Sequence, residues 1–247
     1  MGNGLDLDQV RITAVNRTAA RLGFWASILL AALTAIALAI GVVTPPRSGG
    51  FCTGPCINYP YKDAAQFIPH DFLWMAPAIL MTPVFAVLMA CLHSLAQLER
   101  RLFGVIALCL ASIAATVVTL DYFVQIEVIV PSQLLGEADG VALFTQYNPH
   151  GIFIALEDLG YLILSTAFVF AALTFQHVTR LEKAIRWTFF AGAFLTIASF
   201  LWMSGRYGAD LGVRFELAAI SFDWTALILL GILLAVYFHR RTQSTLP

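Results

Sequence analysis

The chain has 247 residues, of which 60% are hydrophobic and only 12% charged, with a formal net charge of −1 and a mean hydropathy of +0.81. Soluble domains carry roughly 25% charged and 45–50% apolar residues, so a soluble globular enzyme, a disordered tail and a disulfide-rich secreted domain are excluded. A balanced charge without any basic block also argues against a nucleic-acid partner. The composition is that of a chain whose solvent is the lipid bilayer.

A helix needs about 20 apolar residues to cross roughly 30 Å of hydrocarbon. The first such run, at 22–44, goes from Leu22 to Thr44 and stops at Pro45-Pro46. It is longer than the ~7–15 residues of a signal-peptide core and follows a mostly polar segment, so it reads as a span. The second, at 72–96, contains Pro77 and Pro83. The third, at 102–130, stays apolar past Asp121 and is expected to stop at Pro131. The fourth, at 149–177, is expected to start from Asn148 as N-cap with Pro149 in the first turn, where both residue types are favoured. The fifth and sixth lie at 187–204 and 222–239. Each run is continuously apolar, whereas a membrane β-strand alternates over about ten residues. The expectation is an all-α polytopic membrane protein, a single six-helix transmembrane bundle over 1–247.

Lysine and arginine set the expected orientation. Ten of the fourteen fall on the side of the termini: Arg11, Arg17, Arg21, Arg100, Arg101, Arg180, Lys183, Arg186, Arg240 and Arg241. Arg47, Lys62, Arg206 and Arg214 fall on the other. Both termini are therefore expected in the cytoplasm, with the protein in a plasma (inner) membrane. Eleven of the fifteen acids lie on the outer side, and only Asp6, Asp8, Glu99 and Glu182 on the inner.

The third and fourth helices exceed what the bilayer requires, and polarity concentrates in their outer thirds. At 100° per residue His150, Glu157 and Tyr161 fall within about 40° of one another, and Asp121 and Gln125 share a face one turn apart. If these stripes face each other, they form an outward-open acidic and aromatic pocket rimmed by Tyr122, Tyr147 and Tyr161. The candidate ligand-binding residues are Asp121, Tyr122, Gln125, Glu127, His150, Glu157, Asp158 and Tyr161. Asp71 and Asp223 read instead as helix-opening caps beside the interfacial Trp74 and Trp224. Arg206 and Arg214 could neutralise the acids, which would make the constellation structural.

Cys52 and Cys56, in C-T-G-P-C, are expected to form a small disulfide loop. Zinc-ligand spacings are missing, so no metal is expected. No cofactor is expected either. The chain has no phosphate-binding G-x-x-x-x-G-K-[ST] and no H-E-x-x-H, and both lysines, Lys62 and Lys183, lie between spans.

The expected function is binding of a cation or small amphipathic molecule in the outer pocket, with the bilayer as the first partner. Two other classes are open. One is a cofactor-independent enzyme of cyclase or isomerase type, using a carboxylate pair on a lipid or isoprenoid substrate. The other is an accessory subunit of a membrane complex. A closed, arginine-neutralised cluster would favour the last, a lipid-reaching aromatic cavity the enzyme, and a polar path through the inner half a transporter.

Overall fold

In hydrocarbon every backbone N–H and C=O must be satisfied within the segment, which for a continuously apolar run leaves the helix as the available form. The computed structural model describes residues 3–243, with side chains from residue 17 onward. Asp6, Asp8 and Arg11, counted above, lie outside the described side chains. Eight α-helices and no strand occur among the described residues. They are α1 (Asn3–Val43), α2 (Met75–Leu95), α3 (Arg101–Val124), α4 (Val130–Leu135), α5 (Val141–Phe144), α6 (Ile152–Leu173), α7 (Arg180–Tyr207) and α8 (Val213–Gln243). Six stretches are long and apolar enough to cross a membrane: Arg17–Val43, His70–Leu95, Leu98–Leu135, Ile152–Leu173, Arg180–Asp210 and Val213–Gln243.

The six long helices form a closed ring in which α1 packs on α2, α2 on α3, α3 on α6, α6 on α7, α7 on α8 and α8 back on α1, while α6 also touches α8 across the middle. Small residues let the backbones approach, as is usual between helices in lipid. At Gly231 of α8 an added Cβ would lie 2.7 Å from the Ala31 side chain and 2.8 Å from the Ser27 carbonyl of α1. Gly192 of α7 likewise sits against Ala226 and Phe168. The buried hydroxyls of Ser27 and Thr34 donate back to the carbonyls of Gly23 and Leu30 at 2.6 and 2.7 Å, which lets polar side chains sit at helix contacts without orphaned groups.

Several element ends differ from the sequence expectation. Pro131 does not stop the third span. A π-turn over Gln125–Ile129 follows α3 and leads straight into α4, whose second residue is Pro131, so the helix runs on past a residue that lacks one ladder donor. Asn148 does not cap α6. The N-cap is Gly151, and Asn148 folds its own loop, donating to the Ala142 carbonyl at 2.8 Å and accepting the His150 N–H at 3.0 Å. α7 starts at Arg180 behind a capping box of Thr179 and Glu182. α8 starts at Val213, ten residues before Asp223, so Asp223 is an interior helix residue and not a cap.

One end of the ring carries the 44–69, 136–151 and 208–212 connections and is called the loop end. The opposite, terminal end carries the 96–100 and 174–179 connections. At the terminal end Arg100 Nη1 donates to the carbonyls of Leu173 and Phe175 at 2.7 and 2.9 Å, and Arg186 Nη1 donates to Phe175 O at 3.2 Å. These guanidinium groups satisfy carbonyls at and just beyond the end of α6 that have no intrahelical donor. At the loop end Cys52 and Cys56 are joined by a disulfide with S–S 2.04 Å.

Candidate functional site

Three helices bring their polar residues together at the loop end. From α3 come Asp121 and Tyr122, from α6 Glu157, Asp158 and Tyr161, and from α8 Glu216, Asp223 and Trp224. Glu157, Tyr122, Tyr161 and Asp223 have no solvent exposure, and Trp224 and Asp121 almost none.

The hydrogen bonds among them run in one direction. Trp224 Nε1 can only donate, and it gives its proton to the Tyr161 hydroxyl at 2.7 Å. The Tyr122 hydroxyl donates to Glu157 Oε1, so the 2.9 Å contact between the two tyrosine oxygens must use the Tyr161 proton. Trp224, Tyr161, Tyr122 and Glu157 thus form a relay whose every donor points toward one carboxylate oxygen, and such chains polarise one another. The other oxygen, Glu157 Oε2, receives no such donor, and neither do Asp121 Oδ2 and Asp158 Oδ1. Glu157 instead lies within hydrogen-bonding reach of the Glu216 carboxyl. Two carboxyls this close need a proton or a cation between them.

Seven residues along α8 from Glu216, two helical turns away, Asp223 accepts from Thr196 at 2.7 Å and from Ser165 at 3.0 Å on each oxygen. Beyond it toward the terminal end the facing positions are Leu227, Leu230, Leu234, Phe168, Ala171 and Phe189, all buried. No polar track continues past Asp223 among these residues.

Beside the carboxyl cluster, between the loop-end halves of α1 and α8 and the turn that carries Asp71 and Trp74 into α2, lies a cavity of about 220 Å³. Its walls include Trp74 and Trp224, whose ring centroids are 6.0 Å apart, together with Tyr147 and Glu216. Its roof is a polar clamp. Arg47 Nε donates to Asp71 Oδ2 at 3.0 Å and Nη2 approaches Oδ1 at 3.4 Å, while Tyr147 donates to the same carboxylate at 3.1 Å. Trp74 Nε1 and Gln146 Nε2 donate to the Asp71 carbonyl at 3.0 and 3.2 Å. Burial, and then the negative Asp71 carboxylate that it hydrogen-bonds, push the Tyr147 hydroxyl above the usual phenol range, against the smaller opposing pull of Arg47. On the bundle surface the cavity is bounded by Leu38, Val42, Leu217 and Ile220, of which Val42 and Leu217 are exposed.

Of the expected site residues, Asp121, Tyr122, Glu157, Asp158 and Tyr161 converge. Gln125 is buried but serves the fold: its amide donates to the Phe144 carbonyl at 2.7 Å and accepts the Gln146 N–H at 3.0 Å. Glu127 and His150 are exposed and outside the cluster. The stripes of α3 and α6 do face each other, yet the space between them is filled by the tyrosines, and the cavity opens one helix pair away. Sequence reasoning missed Glu216, although Glu216, Ala219, Asp223, Leu227, Leu230 and Leu234 form one continuous helical stripe. Arg206 and Arg214 do not neutralise the acids. Arg214 lies over the rings of Tyr207 and Phe51 at 4.6 and 5.5 Å, and Arg206 over Tyr207 at 5.6 Å. Among the described residues no three His, Cys, Asp or Glu side chains are arranged to hold a metal ion.

Fold and site together define an all-helical protein, among its described residues, with six stretches long and apolar enough to cross a membrane and a buried carboxyl and tyrosine cluster beside an aromatic cavity. No family model matches the chain, and no curated protein or solved structure resembles it significantly.

Proposed function

We propose that this is an integral membrane protein that binds a small amphipathic molecule in the cavity between α1, α8 and the turn into α2. The observation that carries this reading is the position of the cavity. It has aromatic walls and a carboxyl at its depth, and it reaches the bundle surface within the apolar spans. Ligand sites combine such apolar walls with a few convergent polar groups. A volume of about 220 Å³ suits a headgroup with its tail outside. Cargo movement across the bilayer has no support, because the polar residues end at Asp223. The lysine and arginine distribution supports a cytoplasmic location for the terminal end, with the loop end outside a plasma (inner) membrane.

A second reading uses the same cavity. Glu216 reaches the ligand and Glu157 stands behind it, an arrangement that also suits a cofactor-independent cyclase or isomerase acting on a lipid or isoprenoid. One experiment addresses both readings. Purified protein in lipid nanodiscs is titrated with a panel of amphiphiles while its thermal unfolding is followed, and the recovered amphiphiles are examined by mass spectrometry and chromatography. Gly41→Leu is run in parallel, because Gly41 lines the cavity and an added Cβ there meets nothing within 4 Å. Stabilisation of the wild type that is lost in Gly41→Leu supports the cavity as the site. Chemical conversion of the amphiphile would move the reading to an enzyme, and equal responses from both proteins would rule the cavity out.

A further inference from the structure

We infer that the ligand carries a cationic amine head, and that it reaches the cavity sideways from the lipid through the wedge between α1 and α8. This rests on the amphiphile-binding reading above and names the chemistry of that ligand. The first support is the inventory of unmatched groups. Glu157 Oε2, on a side chain with no exposure, has no donor, and Glu157 stands within hydrogen-bonding reach of Glu216, which is the member of the cluster that lines the cavity. Asp121 and Asp158 each bring a further donor-less oxygen, and both lie close enough for their charges to be felt at Glu216. All of these are acceptors, so the missing partner is a donor. Among the described residues no arginine, lysine or histidine pairs with any of the four acids.

The nearest base is already used. Arg47 lines the roof of the cavity but is held on both oxygens of Asp71 and lies 4.0 Å over the Phe67 ring. The unmatched groups beside the cavity are therefore carboxyl oxygens with no base committed to them. Trp74 and Trp224 add ring faces, which attract a cation and most strongly so when the ring is an indole. A carboxylate or phosphate head would set acceptor against acceptor, and an alcohol would supply a single donor without the positive charge that can hold two carboxyls together.

The second support is the path for the tail. α1 and α8 are in backbone contact where Gly231 meets Ala31 and Ser27. Nearer the loop end the cavity separates them, with Leu38 and Val42 on one side and Leu217 and Ile220 on the other. An alkyl chain can lie between these apolar side chains while the head stays inside.

The test uses full-length protein in phosphatidylcholine nanodiscs with hexadecylamine, hexadecanol or propylamine added as probes, and thermal unfolding as the readout. The proposal expects hexadecylamine to raise the unfolding temperature by several degrees, hexadecanol to do little, and propylamine, which has the head but no tail, to bind far more weakly. Glu216→Gln should weaken the hexadecylamine response at least about tenfold in midpoint concentration, while Glu137→Gln, in an exposed loop, leaves it unchanged. Gly41→Leu should abolish the response while its unfolding temperature without probe stays at or above that of the wild type. Equal stabilisation by hexadecanol, or a full response in Glu216→Gln, overturns the amine assignment and leaves amphiphile binding standing. Equal responses to hexadecylamine and propylamine overturn the sideways path. Silence to every amphiphile in the wild type overturns the amine head together with the reading on which it rests.

Discussion

The Trp224 indole N–H donates to the Tyr161 hydroxyl at 2.7 Å, so the ring that forms one wall of the cavity also starts the hydrogen-bond relay that ends on Glu157. Trp224→Phe keeps most of the wall and removes that donor. It should cost about 1 kcal/mol of stability and slacken the Tyr122 to Glu157 bond. Thermal unfolding together with tyrosine ultraviolet spectra would check this, and a variant with wild-type spectra would show that the four groups are not coupled.

The clamp over the cavity makes a sharper prediction. Asp71 is 3% exposed and Arg47 17%. Removing the guanidinium leaves a buried carboxylate accompanied by the Tyr147 hydroxyl, since Trp74 and Gln146 donate to the Asp71 backbone carbonyl and not to its carboxylate. Arg47→Ala should therefore cost about 3 kcal/mol, the lower end of the range for breaking a buried pair. Adding Asp71→Asn should recover part of the loss. Unfolding measurements on the four proteins of the double-mutant cycle give the coupling, and a strictly additive result would refute it.

Tyr147 gives the clamp a pH dependence. Its hydroxyl is harder to ionise in the folded protein than in the unfolded chain. The associated stability is fully present below the unfolded phenol value of about 10 and is lost as pH rises from there toward the folded value. The expected outcome is a decline in unfolding temperature beginning near pH 10 that is shallower in Tyr147→Phe. Parallel curves for the two proteins would contradict it.

Asp223 is a structural acceptor for two hydroxyls. Asp223→Asn keeps an oxygen for Thr196 or Ser165 and should unfold close to wild type. Asp223→Ala strands both hydroxyls, although each can turn back to its own helix, and should cost about 2 kcal/mol. Two equally stable variants would mean that the bonds contribute nothing.

Orientation is open to a direct measurement. Glu137→Cys lies at the loop end and Val178→Cys at the terminal end, both exposed. With the native cysteines replaced, a membrane-impermeant maleimide should label the first in intact cells and the second only after permeabilisation. The reverse pattern would invert the topology.

The six spans were legible because an uncharged run of about 20 residues has little alternative to crossing as a helix. Their ends were not, because α7 and α8 run on through charged residues that no change in hydropathy distinguishes from loop residues. α8 runs through Glu216 and Asp223, and treating Asp223 as a cap hid the two-turn stripe that brings Glu216 to Glu157. Angular spacing put Asp121 with Gln125 on one face and Glu157 with Tyr161 on another, and the α3–α6 contact brings Asp121, Glu157 and Tyr161 together while Gln125 turns to the 144–146 backbone. The same spacing wrongly admitted His150, which precedes the true start of α6 and so does not share that helix's angular register. The cavity itself was beyond reach, because it depends on how far α1 and α8 diverge.

The two arginines on the end of α6 divide the basic residues of that side into two kinds. Arg180, Lys183 and Arg240 are exposed and, in the proposed orientation, contribute charge alone, whereas Arg100 and Arg186 are fastened to the carbonyls of Leu173 and Phe175. Relocating the first kind changes only the count that insertion reads. Relocating the second would also unfasten the α6 terminus, so a chain inverted by that route would arrive in the membrane with one of its helices already fraying.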